Sequence, residues 1–100
     1  MVQGIGEGIM RVIFAPLAFR DLQRIYDYLC KDDPLTAAEI TDKIIKTCRT
    51  LKSFPNRGRS TGMHGRRELV LQSLPYIAVY RVSNDTVEIS RIYHAAQNWP

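Results

Sequence analysis

Residues 74–100 read LPYIAVYRVSNDTVEISRIYHAAQNWP, and the alternation within them decides the fold. Two runs rich in β-branched and aromatic residues, Tyr76 to Val82 and Thr86 to His94, flank the polar turn Ser83, Asn84 and Asp85. That pattern predicts an antiparallel hairpin. With a two-residue turn, Ser83 pairs with Thr86 and the register follows. Val82/Val87, Tyr80/Ile89, Ala78/Arg91 and Tyr76/Tyr93 then share one face, and Arg81/Glu88, Val79/Ser90 and Ile77/Ile92 the other. The first face is the more apolar near the turn and is expected against the helices. Arg81 beside Glu88 is expected to form a cross-strand ion pair worth well under ~1 kcal/mol. Arg91 falls inward, where an unpaired guanidinium is costly. It is therefore expected to emerge at the sheet edge near the tail, or to hold Tyr76, Tyr93 or the terminal carboxylate.

Upstream, Arg67 to Gln72 reads as another strand, broken from the hairpin by Leu74-Pro75. The glycine-rich segment from Asn56 to Gly65 reads as a loop. Two amphipathic helices precede it. Pro16 suits a first helical turn, and Leu22, Ile25, Tyr26 and Leu29 form an apolar stripe at i, i+3, i+4, i+7. Arg20, Asp21, Arg24 and Asp27 are expected to face away, with the helix ending near Asp32. Asp33-Pro34 signals a second start, a capping carboxylate before proline. Ala37, Ile40, Thr41, Ile44, Ile45, Cys48 and Leu51 carry that helix to Phe54-Pro55. So short a connection predicts an antiparallel helical hairpin. Arg11 to Phe14 is a short opening strand, and residues 1–9 read as a flexible leader. The expected fold class is α+β, order β-α-α-β-β-β, with an antiparallel sheet covered on one face by the helical hairpin. Residues 10–100 form a single domain.

With 45% hydrophobic and 24% charged residues, the composition is that of a globular domain and excludes a disordered or collagenous chain. No apolar run approaches a membrane span and no signal-peptide pattern is present, so a cytoplasmic location is expected. Cys30 and Cys48 fall in helical patterns, are not spaced as metal ligands, and read as buried thiols. No cofactor is expected. The net charge is +4, unevenly spread: residues 1–55 hold eight Lys/Arg and seven Asp/Glu, residues 56–100 six arginines and three acids. Arginine without lysine favours bidentate contact with phosphate or carboxylate, so an acidic partner is expected.

Candidate contact residues are Arg57, Arg59, Arg66 and Arg67 in the glycine-interleaved loop, Arg81 on the outer face, and Trp99 in the tail. A solvated loop that merely keeps the protein soluble is the alternative for the first four. Trp99 suits closure over the core or stacking on a partner. His94, at a strand end beside Arg91, suits general acid–base work or a structural hydrogen bond. His64 has no partner by spacing, and two histidines without carboxylates at ligand spacing make no metal site.

In order along the chain, Ala18-Phe19-Arg20-Asp21-Leu22 with Ile25 and Tyr28, Pro34 with Ala37-Ala38, Leu51, Pro55, Gly58-Arg59 and Arg67-Glu68-Leu69 are followed by Pro75-Tyr76, Val79-Tyr80-Arg81-Val82, Asp85, Val87, Ile89, Arg91-Ile92, His94 and Trp99-Pro100. This assembly resembles the RelE/ParE superfamily of bacterial toxin–antitoxin toxins. The resemblance implies a β-α-α-β-β-β fold, an acidic and partly disordered antitoxin wrapped around the toxin in a hetero-oligomer, and one of two activities. RelE-like members cut messenger RNA on the ribosome without a metal, using lysines and arginines on the central strands. The positions corresponding to those cations are Glu68, Val70, Ile77 and a residue near Gln97 here, which removes most of the electrostatic stabilisation such cleavage needs. His94 matches the C-terminal histidine of YoeB-like nucleases but is shared by ParE-like members. A nuclease reading would use His94 with Arg81 and a loop arginine. ParE-like members bind DNA gyrase and perform no catalysis. The missing cations favour that branch, with gyrase as target by analogy.

Overall fold

The hairpin forms as β4 (Tyr76–Ser83) and β5 (Thr86–His94), with Asn84 at φ 52 in the turn. In the computed structural model, which describes residues 10–96, these two strands are the centre of a five-stranded sheet. Their pairing follows the expected register from Ser83↔Thr86 to Tyr80↔Ile89 and then slips, because Val79 faces Arg91 and Ser90 is left as the extra residue of a β-bulge. Beyond the bulge Ala78 faces Ile92, Ile77 faces Tyr93 and Tyr76 faces His94, in place of the expected Ala78/Arg91, Tyr76/Tyr93 and Ile77/Ile92. The physical gain is clear. One inserted residue turns Ile92 into the core and spares Arg91 full burial. Arg81 and Glu88 are register partners as expected, but no ion pair forms between them.

On one side, β3 (Arg66–Val70) pairs antiparallel with β4, and β2 (Arg59–Ser60) adds a two-residue edge inside the segment expected to be all loop. On the other side, β1 (Arg11–Phe14) runs parallel to β5, from Arg11↔Thr86 to Phe14↔Ile89. The sheet is therefore mixed, order β1-β5-β4-β3-β2, rather than wholly antiparallel. Only a helical crossover joins β1 to the rest, so no tight turn forces it to run antiparallel.

Both helices begin as their sequence signals require. Pro16 opens α1 (Pro16–Cys30), and Asp33 caps α2 (Pro34–Arg49), accepting hydrogen bonds from the Leu35 amide at 3.1 Å and the Thr36 hydroxyl at 2.8 Å. These bonds hold the Asp33 carboxyl below its usual range. A 3₁₀ turn, Thr50–Lys52, extends α2. Ala18 and Leu22 of α1 and Ile44 and Cys48 of α2 pack with Leu51 on Leu69, Tyr76, Ala78, Tyr80, Val87, Ile89 and Ile92 of the sheet and on Leu71 just after β3. Each fully buried aliphatic side chain contributes about 1.5–3 kcal/mol. Burial pushes the Cys48 thiol up to about 12. Among the described residues, no helix is long and apolar enough to cross a membrane.

Candidate functional site

Because alternate residues of a strand point to opposite faces, Arg66, Glu68 and Val70 of β3 and Ile77, Val79 and Arg81 of β4 share the sheet face away from the helices. Arg66 is the register partner of Arg81, Glu68 of Val79, and Val70 of Ile77. Two arginines directly opposite repel one another. Among the described residues, neither guanidinium has a carboxylate within ion-pair distance. Lower on this face, Glu68 accepts from Arg59 at 3.3 Å and from the Tyr93 hydroxyl at 3.3 Å. Burial and the Glu68 charge together raise the Tyr93 phenol above its usual value.

The other loop arginines are engaged in holding the chain. Arg67 lies on the helix side, opposite Tyr80, and donates to the Gly58 carbonyl at 2.6 Å and the Asn56 carbonyl at 3.4 Å. Arg57 donates to the Thr50 hydroxyl at 3.0 Å and lies 5.4 Å from the centre of the Phe54 ring. The buried Tyr80 hydroxyl accepts from the Gly58 amide at 2.8 Å and donates to the Pro55 carbonyl at 2.7 Å. Gly58 must be glycine, since a Cβ there would stand 2.6 Å from the Tyr80 ring and 2.8 Å from the Glu68 carbonyl oxygen. Of the six expected contact residues, Arg66 and Arg81 are thus brought together with their charges open. Arg57, Arg59 and Arg67 are tethered, and Trp99 lies outside the described residues, as does Gln97.

His94 is elsewhere. It pairs with Tyr76 at the far end of β4 from Arg81, a separation of roughly 17 Å along five strand residues. Its ring meets Tyr76 edge-on at 5.4 Å, and its Nδ1 accepts the Ala96 amide at 3.0 Å. The structure does not bring His94 and Arg81 into one site.

His94 instead borders a cleft of about 510 Å³ between α1 and the end of β5, lined also by Arg24, Tyr28, Tyr76 and Tyr93. Asp21 and Arg91 form its polar floor. The Asp21 carboxylate accepts from Arg91 Nε at 2.8 Å, Arg91 Nη2 at 3.0 Å and the Ile92 amide at 2.9 Å. The hydrogen bond from Arg91 to Asp21, with its charge, raises the guanidinium's pKa further. Asp21 was expected to face away from the core and is in fact buried, because β1 ends at Phe14 and the open edge of β5 beyond it needs an acceptor. The signal was present in Ala18-Asp21-Leu22, which places the carboxylate among core positions of α1.

The comparisons agree with this geometry. The family described as the ParE toxin of type II toxin-antitoxin systems, parDE, matches residues 12–99. Y4kP of Sinorhizobium fredii is 41% identical over 90 residues, covering 90% of this chain and 93% of Y4kP. Toxin RelE2 of Caulobacter vibrioides is 34% identical over 87 residues, covering 87% of this chain and 97% of RelE2. A chain of the chromosomal ParDE TA system from P. aeruginosa superposes with a TM-score of 0.77 at 27% identity, over 88% of this chain and 98% of that one. The family match over most of the chain, the sequence similarity and the shared fold agree, and the chain belongs to the ParE toxin family of type II toxin–antitoxin systems.

Proposed function

We propose that this toxin arrests growth in the cytoplasm by binding an essential target, DNA gyrase by analogy, and performs no chemistry of its own. The observation that carries this reading is the make-up of the open sheet face. At the positions assigned to catalytic cations in RelE-like nucleases, Val70 stands opposite Ile77, and Glu68 adds a negative charge. A phosphate transition state there would meet hydrocarbon and a carboxylate. The distance between His94 and Arg81 points the same way. Arg66 and Arg81 are the open charges for target contact, with Arg59 on the neighbouring strand held by Glu68. An antitoxin is the neutralising partner, in keeping with the likeness to a chain of the ParDE TA system of P. aeruginosa, and the basic face suits an acidic, partly disordered one. It would fold on binding to a basic face.

The test is growth arrest on induction without antitoxin, comparing wild type, His94→Ala and the charge reversals Arg66→Glu and Arg81→Glu. His94→Ala is expected to arrest growth as wild type does, and the reversals to weaken arrest in steps. Loss of arrest in a folded His94→Ala protein alone would overturn the reading. Ribosome-dependent messenger cleavage, the activity implied by the RelE-like side of the superfamily, would then take its place.

A further inference from the structure

From Lys43 to Arg67 the chain carries eight lysines and arginines and not one Asp or Glu. This basic tract spans the second half of α2, the 3₁₀ turn, β2 and the start of β3. It borders a second cleft, of about 540 Å³, between α2 and the β3–β4 turn. Lys43, Thr47 and Thr50 stand at i, i+4 and i+7, so one face of the helix lines one wall. Arg57, Gln72 and Ser73 supply the rest of its polar lining, with Ser73 held in the left-handed region at φ 67. Among the described residues, no carboxylate lines the cleft.

We propose that this cleft binds the phosphodiester backbone of a nucleic acid. Its chemistry is that of phosphate recognition: two cations with hydroxyl and amide donors, the groups that contact backbone oxygens in protein–nucleic acid complexes. Arg57 is already oriented, its Nη1 on the Thr50 hydroxyl and its guanidinium carbon 5.4 Å from the Phe54 ring centre, which leaves the other N–H groups for a ligand at little entropic cost. Lys43 has no ion-pair partner among the described residues. Phe54 is 59% exposed beside Arg57 and offers a ring face on which a base can stack. Arg49 and Lys52 are exposed and extend the positive track along the helix end. The volume lies within the roughly 300–1,000 Å³ of pockets that enclose small ligands. Neither Arg66 nor Arg81 lines this cleft, and the proposal does not depend on gyrase being the target.

Fluorescence anisotropy of the full chain with short labelled DNA duplexes, single-stranded DNA and RNA, at salt from ~50 to ~300 mM, tests the proposal. Binding is expected to weaken linearly in log salt. The double variant Lys43→Gln/Arg57→Gln should lower that slope by ~2, about one per lost phosphate contact, and weaken affinity by on the order of tenfold at low salt. The variant Arg11→Gln/Arg20→Gln, with the same loss of charge on β1 and α1, should stay within about twofold of wild type. Preference for DNA or RNA identifies the source of the phosphodiester. The proposal fails if no nucleic acid binds at low salt, if the Lys43/Arg57 variant binds like wild type, or if polyglutamate binds as tightly and with the same dependence on Lys43 and Arg57. Lys43→Gln alone, on an exposed helical position, serves if the double variant melts early.

Discussion

Replacing Asp21 by alanine removes one carboxylate and breaks three hydrogen bonds, to Arg91 Nε, Arg91 Nη2 and the Ile92 amide. The Ile92 amide lies on the part of the β5 edge that β1 does not cover, so it loses its acceptor inside the protein. A buried donor left unsatisfied costs about 1–3 kcal/mol. Breaking a fully buried ion pair from one side costs about 3–5 kcal/mol, but the Arg91 side chain is 30% exposed and partly regains water. Allowing for that screening and for non-additivity, the expected loss is roughly 3 kcal/mol, a large share of the 5–15 kcal/mol typical of a domain. In a domain of this size it corresponds to a fall in Tm of at least ~12 °C. Urea unfolding followed by circular dichroism measures it. Asp21→Asn keeps one acceptor oxygen and should lose less. A loss below ~1 kcal/mol for Asp21→Ala would contradict this, since water would then replace the carboxylate at both partners.

Gly58→Ala should destabilise by about 1–3 kcal/mol, because the new methyl meets the Tyr80 ring and the Glu68 backbone and the loop must shift; a thermal melt unchanged from wild type would count against the latch. In thiol labelling at mild alkaline pH, half-buried Cys30 should react in the folded protein and Cys48, its thiol pushed up to about 12, only on unfolding. Equal labelling rates would contradict that burial. The folded pKa of Asp33 is depressed, so its charged cap stabilises in full above its ordinary value of 3.8 and is lost as pH falls through the lower folded value. The stability gap between wild type and Asp33→Ala should therefore shrink below that pH; a gap constant from neutral to strongly acid pH would show that the charge contributes nothing.

Much of the fold was legible because its signals are local. Pro16, Asp33-Pro34 and the apolar stripes set the helices, and the turn at Asn84-Asp85 set the hairpin. The parallel placement of β1 was not legible, since alternation within Arg11–Phe14 carries no direction. The bulge could have been read from Val87, Ile89 and Ile92, whose spacing lengthens from two to three residues. The site was harder. Arginines in one stretch of sequence look alike, and only the fold separates Arg67, bonded to the Gly58 carbonyl, from Arg81, left open beside Arg66. Asp21 and Arg91 are seventy residues apart, and their pairing follows from where β1 stops, a fact of tertiary structure.

Gyrase binding without catalysis is the proposed action of this toxin. Its most direct test is supercoiling by purified gyrase titrated with the folded protein, scoring linearised plasmid as trapped cleavage complex. Inhibition accompanied by linear product, reduced stepwise by Arg66→Glu and Arg81→Glu and unchanged by His94→Ala, is the predicted result. Undiminished supercoiling at large excess, with protein that arrests growth in cells, would contradict it.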